Sequence, residues 1–213
     1  ELGIPYSDPV MDGPVIQHAT HRALEAGFRV RDTFTAIRRI TQQVPIPVIV
    51  MTYWNPVLRF GPQRFTEELL ESGGTGLITP DLIPDEAGEW LSVSGAAGAE
   101  RVFLAAPTST DERLRRIADL SRGFVYAVST MGITGERRDV DQAARTLVGR
   151  LRGFDTPRVC VGIGISTGDQ VREVLGYADG AIVGSALIAA LDGSGVAGAA
   201  AKAAELSAGK SGG

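Results

Sequence analysis

Arg158-Val159-Cys160-Val161-Gly162-Ile163-Gly164-Ile165-Ser166-Thr167 decides how this chain folds. It reads as a short apolar strand over Arg158–Gly162 and a glycine-rich turn, with Ser166-Thr167 placed to cap a helix over 167–176. A second apolar run, Gly180–Val183, follows directly. It closes on Gly184-Ser185, where a helix over 185–207 begins. Continuous apolar strands alternating with helices predict a parallel sheet covered on both sides.

The same unit recurs outward from this stretch. Strands are predicted at Pro47–Thr52, Gly76–Thr79, Arg101–Ala105 and Gly123–Val128, with helices over 62–72, 84–92, 110–120 and 140–152. Thr110-Asp111-Glu112 supplies a start signal for one of them. At the N-terminus, Glu1-Leu2-Gly3 reads as a strand end. A loop carrying Pro5, Pro9 and Gly13 leads to a helix that starts near Pro14, and another helix is predicted near 32–42. Six full strands and one truncated strand alternate with helices without a break in composition. That pattern predicts one (β/α)8-barrel (TIM-barrel) domain over 1–213, lacking its first strand and most of its second. An open doubly wound sheet is the alternative. The sequence does not begin with Met and so reads as the remainder of a longer polypeptide. Its low-complexity part is the Ala/Gly/Ser-rich tail from Gly193, read as helical over Val196–Leu206 and frayed from Ser207.

Composition narrows the function classes. With 213 residues, 44% hydrophobic and 22% charged, the chain is an ordinary globular one, able to bury a sizeable core. A net charge of −4 argues against general nucleic-acid binding. The pairs Arg38-Arg39, Arg115-Arg116 and Arg137-Arg138 read as solvated edges. The single cysteine, Cys160, lies inside an apolar run and reads as a buried strand residue, and one thiol cannot build a cysteine metal site. His18 and His21 read as helix-surface residues rather than metal ligands. With neither a membrane-length apolar run nor a signal peptide in view, a cytoplasmic location is expected.

Two groups of residues carry chemistry. Glycine loops follow three consecutive strands: Gly132-Ile133-Thr134-Gly135, Gly162-Ile163-Gly164-Ile165-Ser166 and Gly184-Ser185. In a barrel, the last strands commonly hold phosphate, where glycines admit backbone N–H groups and a helix start adds its positive dipole end. Neither a G-x-G-x-x-G early in a βαβ unit nor a G-x-x-x-x-G-K-[ST] is present, so dinucleotide and P-loop folds are unsupported. At the other end of the chain, Glu1 ends a strand and Asp8 and Asp12 lie in the following loop. A strand-end carboxylate suits acid–base work, while the loop aspartates equally suit Asx turns beside Pro9 and Gly13.

The literal residues resolve that choice. Glu1-Leu2-Gly3-Ile4-Pro5-Tyr6-Ser7-Asp8-Pro9-Val10-Met11-Asp12-Gly13-Pro14 closely resembles the signature segment of the tryptophan synthase α subunit family. The resemblance continues through Met51-Thr52-Tyr53-Trp54-Asn55-Pro56, Pro80-Asp81-Leu82-Ile83-Pro84, Ala106-Pro107-Thr108-Ser109-Thr110 and the glycine loops, to Gly184-Ser185-Ala186. It implies a lyase that cleaves indole-3-glycerol phosphate to indole and glyceraldehyde 3-phosphate. Within it, Glu1 matches the acid–base group, Asp12 the carboxylate that accepts the indole N–H, and Tyr126 a tyrosine lining the active site. Gly135, Gly164, Gly184 and Ser185 match the phosphate ligands. Thr134 matches a threonine of the mobile loop after the sixth strand, and Asp81 an aspartate linked to the closed state. Met51, Tyr53, Ile78, Leu104 and Ile163 stand where they would wall an indole pocket or simply fill the core. The resemblance further implies an α2β2 heterotetramer with a β subunit that carries pyridoxal phosphate, and no cofactor or metal in this subunit. The loops Pro5–Gly13 and Gly132–Asp139 would meet or sense that partner. Two rival readings remain: a non-catalytic barrel that only activates a β subunit, and another sugar-phosphate barrel enzyme.

Overall fold

A computed structural model describes residues 1–128, 137–162 and 164–210, with side chains of the helix at 137–152 described from Gln142 onward. The chain divides into two compact units, Glu1–Leu104 with Leu120–Gly123, and Ala105–Asp119 with Phe124–Gly213.

The first unit is built on four parallel strands in the order β1-β2-β3-β4: Leu2–Gly3, Ile49–Met51, Gly76–Ile78 and Glu100–Val102. The register sets Leu2 against Val50, Val50 against Leu77 and Leu77 against Arg101. Val50, Leu77 and Val102 are buried, as strands covered on both faces require. Between β1 and β2 lie α1 (Pro14–Glu25), opened by the predicted proline, and α2 (Val30–Thr41). Phe34 of α2 meets Phe65 edge-on, with ring centroids 5.3 Å apart, and Phe60 closes the cluster at 5.5 and 5.8 Å.

Two helices of this unit depart from the expectation. The segment after β2 forms α3 (Trp54–Phe60), separate from α4 (Pro62–Glu71). No helix is predicted over 53–61, yet Pro56 fits the first turn of α3, where a proline forfeits no hydrogen bond because that N–H has no partner within the helix. The helix expected over 84–92 is α5, Gly88–Ala97. Pro84–Ala87 is instead a turn, with Glu86 N–H donating to Ile83 O at 3.0 Å. Ser94 does not break the helix: its hydroxyl bonds back to Trp90 O.

The predicted strand Arg101–Ala105 is also two strands. β4 pairs with β3, and after the buried Phe103 the next strand, β5 (Leu104–Ala105), belongs to the other sheet, of order β5-β6-β7-β8. That sheet continues with β6 (Val125–Val128), β7 (Val159–Gly162) and β8 (Gly180–Ala181), the last three parallel. Its helices are α6 (Asp111–Leu120), α7 (Arg137–Arg152), α8 (Gly168–Leu175) and α9 (Ser185–Ala208). The Thr110 hydroxyl accepts from Arg113 N–H at the start of α6, and Thr167 heads α8 in a capping box with Gln170, as their types predicted. α9 is interrupted at Ser194 and Gly195, so the tail past Gly193 is a second helical piece running to Ala208. Among the described residues, no helix is long and apolar enough to cross a membrane.

Candidate active site

In the first unit the site is assembled from the loop after β1 and the junction of β2 with α3. Glu1 stands one residue ahead of β1, and the ladder of Leu2 and Gly3 with Val50 and Met51 continues in Ile4 N–H donating to Met51 O at 3.0 Å. The loop then folds on itself, with Val10 N–H on Asp8 O (2.8 Å) and Asp12 N–H on Pro9 O (3.1 Å). The backbone makes this turn by itself, so the Asp12 carboxylate is released from an Asx role. Its Oδ2 accepts from the Tyr53 hydroxyl at 3.0 Å, and that hydroxyl accepts in turn from Met11 N–H at 2.9 Å. Gln17 of α1 donates to Asp12 O at 2.8 Å. Asp8 is exposed and takes the Ser7 hydroxyl at 2.6 Å.

Tyr53 is the N-cap residue of α3 and is 6% exposed. Its ring lies 5.1 Å from that of Tyr6, whose hydroxyl accepts from Asn55 Nδ2 at 3.1 Å. Asp81 caps α3 from the β3 side: both its oxygens accept from Trp54 N–H, at 2.9 and 3.0 Å. Sequence reading had Tyr53 as a wall residue and missed its hydroxyl role. The only sequence signal for that role was a polar tip on a strand-end aromatic.

The electrostatics set the two carboxyls apart from ordinary ones. Glu1 has exposed surface as a residue, yet its carboxyl is packed among protein atoms. Desolvation there pushes its pKa above the usual carboxylate value, and Asp12 adds to the rise. Desolvation also raises Asp12, against the lowering effect of the Tyr53 hydrogen bond. Burial, with Asp12 and Asp81 nearby, pushes the Tyr53 hydroxyl up to about 12, while the Met11 N–H opposes the rise. Tyr53 is therefore a proton donor throughout the physiological range. Of the expected pocket residues in this unit, Ile78 is buried at the end of β3, and Met51 and Leu104 are half-buried at the ends of β2 and β5.

The second unit brings the glycines together. β7 and β8 are paired through Cys160–Gly180 and Val161–Ala181, and Ile182 N–H donates to Val161 O at 2.8 Å. The loop with Gly164 and the Gly184-Ser185 start of α9 therefore leave adjacent strands at the same end. Gly164 (φ 63°), Gly184 and Ser185 are exposed, and a Cβ on Gly184 would meet no atom within 4 Å. An anion could approach these backbone groups closely. Thr134, Gly135 and Ile163 lie outside the described residues.

Tyr126 is half-buried on β6 and shares one face of the sheet with Cys160 and Gly162 of β7. A Cβ on Gly162 would lie 2.3 Å from the Tyr126 hydroxyl oxygen, so the missing side chain at 162 is the space the ring occupies. Cys160 is only half-buried, less than its apolar run implied, because it faces Gly180 across the ladder; desolvation still pushes its thiol up to about 11. Arg150 of α7 was not singled out in the sequence. It donates to Pro107 O (3.1 Å), Ser109 O (2.7 Å) and Asp111 Oδ1 (2.7 and 3.0 Å), fixing the loop ahead of α6. His18 and His21 are exposed on α1, His21 beside Glu25 at 3.2 Å. Among the described residues, no group of three or more His, Cys, Asp or Glu could hold a metal ion.

Comparison with known proteins shows the family and the fold. The family model described as tryptophan synthase alpha chain matches residues 1–210. A tryptophan synthase alpha chain of Leifsonia xyli subsp. xyli is 65% identical over 209 residues, covering 98% of this chain and 80% of the relative. One from Mycobacterium intracellulare is 53% identical over 209 residues, covering 98% and 77%. Among solved structures, tryptophan synthase of Mycobacterium tuberculosis aligns at a TM-score of 0.91 and 52% identity, over 98% of this chain and 79% of that one. A mutant alpha subunit from Pyrococcus furiosus aligns at 0.88 and 37%, over 97% and 85%. The fold class is that expected from the alternation of strands and helices, an α/β chain of the (β/α)8-barrel class. The chain belongs to the tryptophan synthase alpha chain family.

Proposed function

We propose that the chain cleaves indole-3-glycerol phosphate to indole and glyceraldehyde 3-phosphate, working as one (β/α)8-barrel domain. Membership in the family makes it a lyase of tryptophan biosynthesis and supports this reaction. The observation that carries the finer reading is the pair of carboxyls at Glu1 and Asp12, both held above the ordinary carboxylate value by desolvation. A retro-aldol cleavage asks for two carboxyls with different tasks. The Glu1 carboxyl gives its proton to C3 of the indole ring, forming an indolenine, and receives the proton of the neighbouring side-chain hydroxyl. The electrons of that O–H bond form the aldehyde. The C–C bond breaks, and its electron pair restores the indole. Asp12 accepts the ring N–H and stabilises the positive charge that develops there. A raised Glu1 suits a group that must arrive protonated.

Tyr126 lines the site. Gly164, Gly184 and Ser185 bind the phosphate; Gly135 and Thr134 are assigned to the phosphate site and its lid on the sequence match alone. The steps balance with these side chains alone, so no cofactor is assigned to this chain. The partner is a β subunit carrying pyridoxal phosphate, in an α2β2 assembly in the cytoplasm. Val10 (82% exposed) and Met11 (56%), beside the site, supply apolar surface for such a partner. Indole release from indole-3-glycerol phosphate, with and without an added β subunit, tests the proposal. Glu1→Gln is expected to lower the rate by at least ~10²–10⁴-fold, and Asp12→Asn to weaken it greatly. An unchanged rate in Glu1→Gln overturns the mechanism. Activation of a β subunit without indole release would identify a non-catalytic activator instead.

A further inference from the structure

We infer that Tyr53 is a positioning residue for Asp12, holding its carboxylate in place and keeping it ionised through a hydroxyl that bridges the Met11 backbone to Asp12 Oδ2. The inference rests on the role proposed for Asp12. Three observations meet at this hydroxyl. It is fully used, accepting from Met11 N–H at 2.9 Å and donating to Asp12 at 3.0 Å, so its proton points at the carboxylate. It is fixed from behind. Tyr53 is buried and is the N-cap residue of a helix whose first N–H is held by both oxygens of Asp81, and its ring packs 5.1 Å from Tyr6. It also reaches across the fold: the loop carrying Asp12 precedes α1, whereas Tyr53 follows β2. The bridge thus ties a loop, which would otherwise wander, to the sheet.

The bond engages Oδ2 and so fixes the carboxylate that is proposed to accept the ring N–H of the substrate. It also sets the charge. Desolvation favours a protonated Asp12, which could not accept that N–H as an anion; the Tyr53 donor opposes it. The titratable groups bearing on the bridge are Glu1, Asp12 and Asp81, all carboxylates, and the phenolic proton is the donor that faces the Asp12 carboxylate.

Tyr53→Phe in the full chain removes the hydroxyl and keeps the ring on Tyr6. Losing a hydrogen bond to a charged group predicts a fall in kcat for indole release of about 10–100-fold, with KM changed less than about 3-fold. The acid limb of the pH profile moves to higher pH. In an Asp12→Asn background the same change costs less than about 3-fold, because the charge it serves is gone. A second readout needs no turnover: the ¹³C resonance of the Asp12 carboxyl titrates at higher pH in Tyr53→Phe than in the parent. If that titration and the pH profile stay in place while only thermal stability falls, Tyr53 is structural and the inference is wrong. A parent chain that releases no indole would overturn the proposed function, and the Asp12 titration would still decide the role of Tyr53.

Discussion

Replacing Gly162 by alanine adds one methyl group to the chain and is expected to act on Tyr126. Gly162 pairs with Val128 in the β6–β7 ladder, so its backbone cannot retreat. A Cβ there would lie 2.3 Å from the Tyr126 hydroxyl oxygen and 2.7 Å from Cε1 and Cζ. Non-bonded contact needs about 3.5 Å, so the ring tip must move by roughly 1 Å. Overpacking a well-filled site costs about 1–3 kcal/mol. Tyr126 is half-buried rather than part of the closed core, which puts the expected loss at the lower end, about 1 kcal/mol. In a chain of this size that lowers Tm by about 2–4 °C. The catalytic effect is expected to be larger, because a misplacement of about 1 Å costs on the order of 10²-fold in rate. Thermal melts and indole-release kinetics on Gly162→Ala, Tyr126→Ala and the double variant measure both. The double variant should melt higher than the sum of the single losses predicts, since the clash needs both side chains, while its rate stays low. Gly162→Ala with parental Tm and rate, or a stability loss of the same size with and without the Tyr126 ring, would refute the reasoning.

Other outcomes follow from the same geometry. Because the Glu1 carboxyl is raised above 4.5, the folded chain holds its proton more tightly than the unfolded chain. That contribution to stability is complete below about pH 4.5 and is lost as pH rises through the folded value. Glu1→Gln should therefore melt with the parent near pH 4 and above it at pH 7; equal Tm at both pH values would show that the carboxyl is not desolvated. Asp81→Ala removes the cap of α3 and should cost about 0.5–2 kcal/mol in a urea titration, with Asp81→Asn recovering most of it. Ser185→Asp, which sets a negative charge at the exposed start of α9, should raise KM for the phosphorylated substrate sharply while Tm holds; an unchanged KM removes Ser185 from the site.

Much of this protein was legible along the chain. The alternation of apolar runs with capped helices is written in residues a few positions apart, and it gave the α/β class, the cap at Thr167 and the glycines that end β7 and open α9. The limits were equally local. No helix is predicted over 53–61, where α3 forms, and Arg101–Ala105 reads as one strand although its halves pair in different sheets. Those outcomes turn on where a segment finds its partners, which a window of neighbours does not contain.

The carboxylates divide in the same way. The sequence by itself determined that Glu1 and Asp12 are present in a segment characteristic of one family, and that glycines stand ready for a phosphate. Only the tertiary structure decided that Asp12 turns from its own loop to the Tyr53 hydroxyl 41 positions away, and that burial raises both carboxyls. Periodicity and turn chemistry act between near neighbours and are encoded residue by residue. Desolvation and long-range hydrogen bonds depend on which distant segments the packed chain brings together, and no single stretch of sequence carries that information.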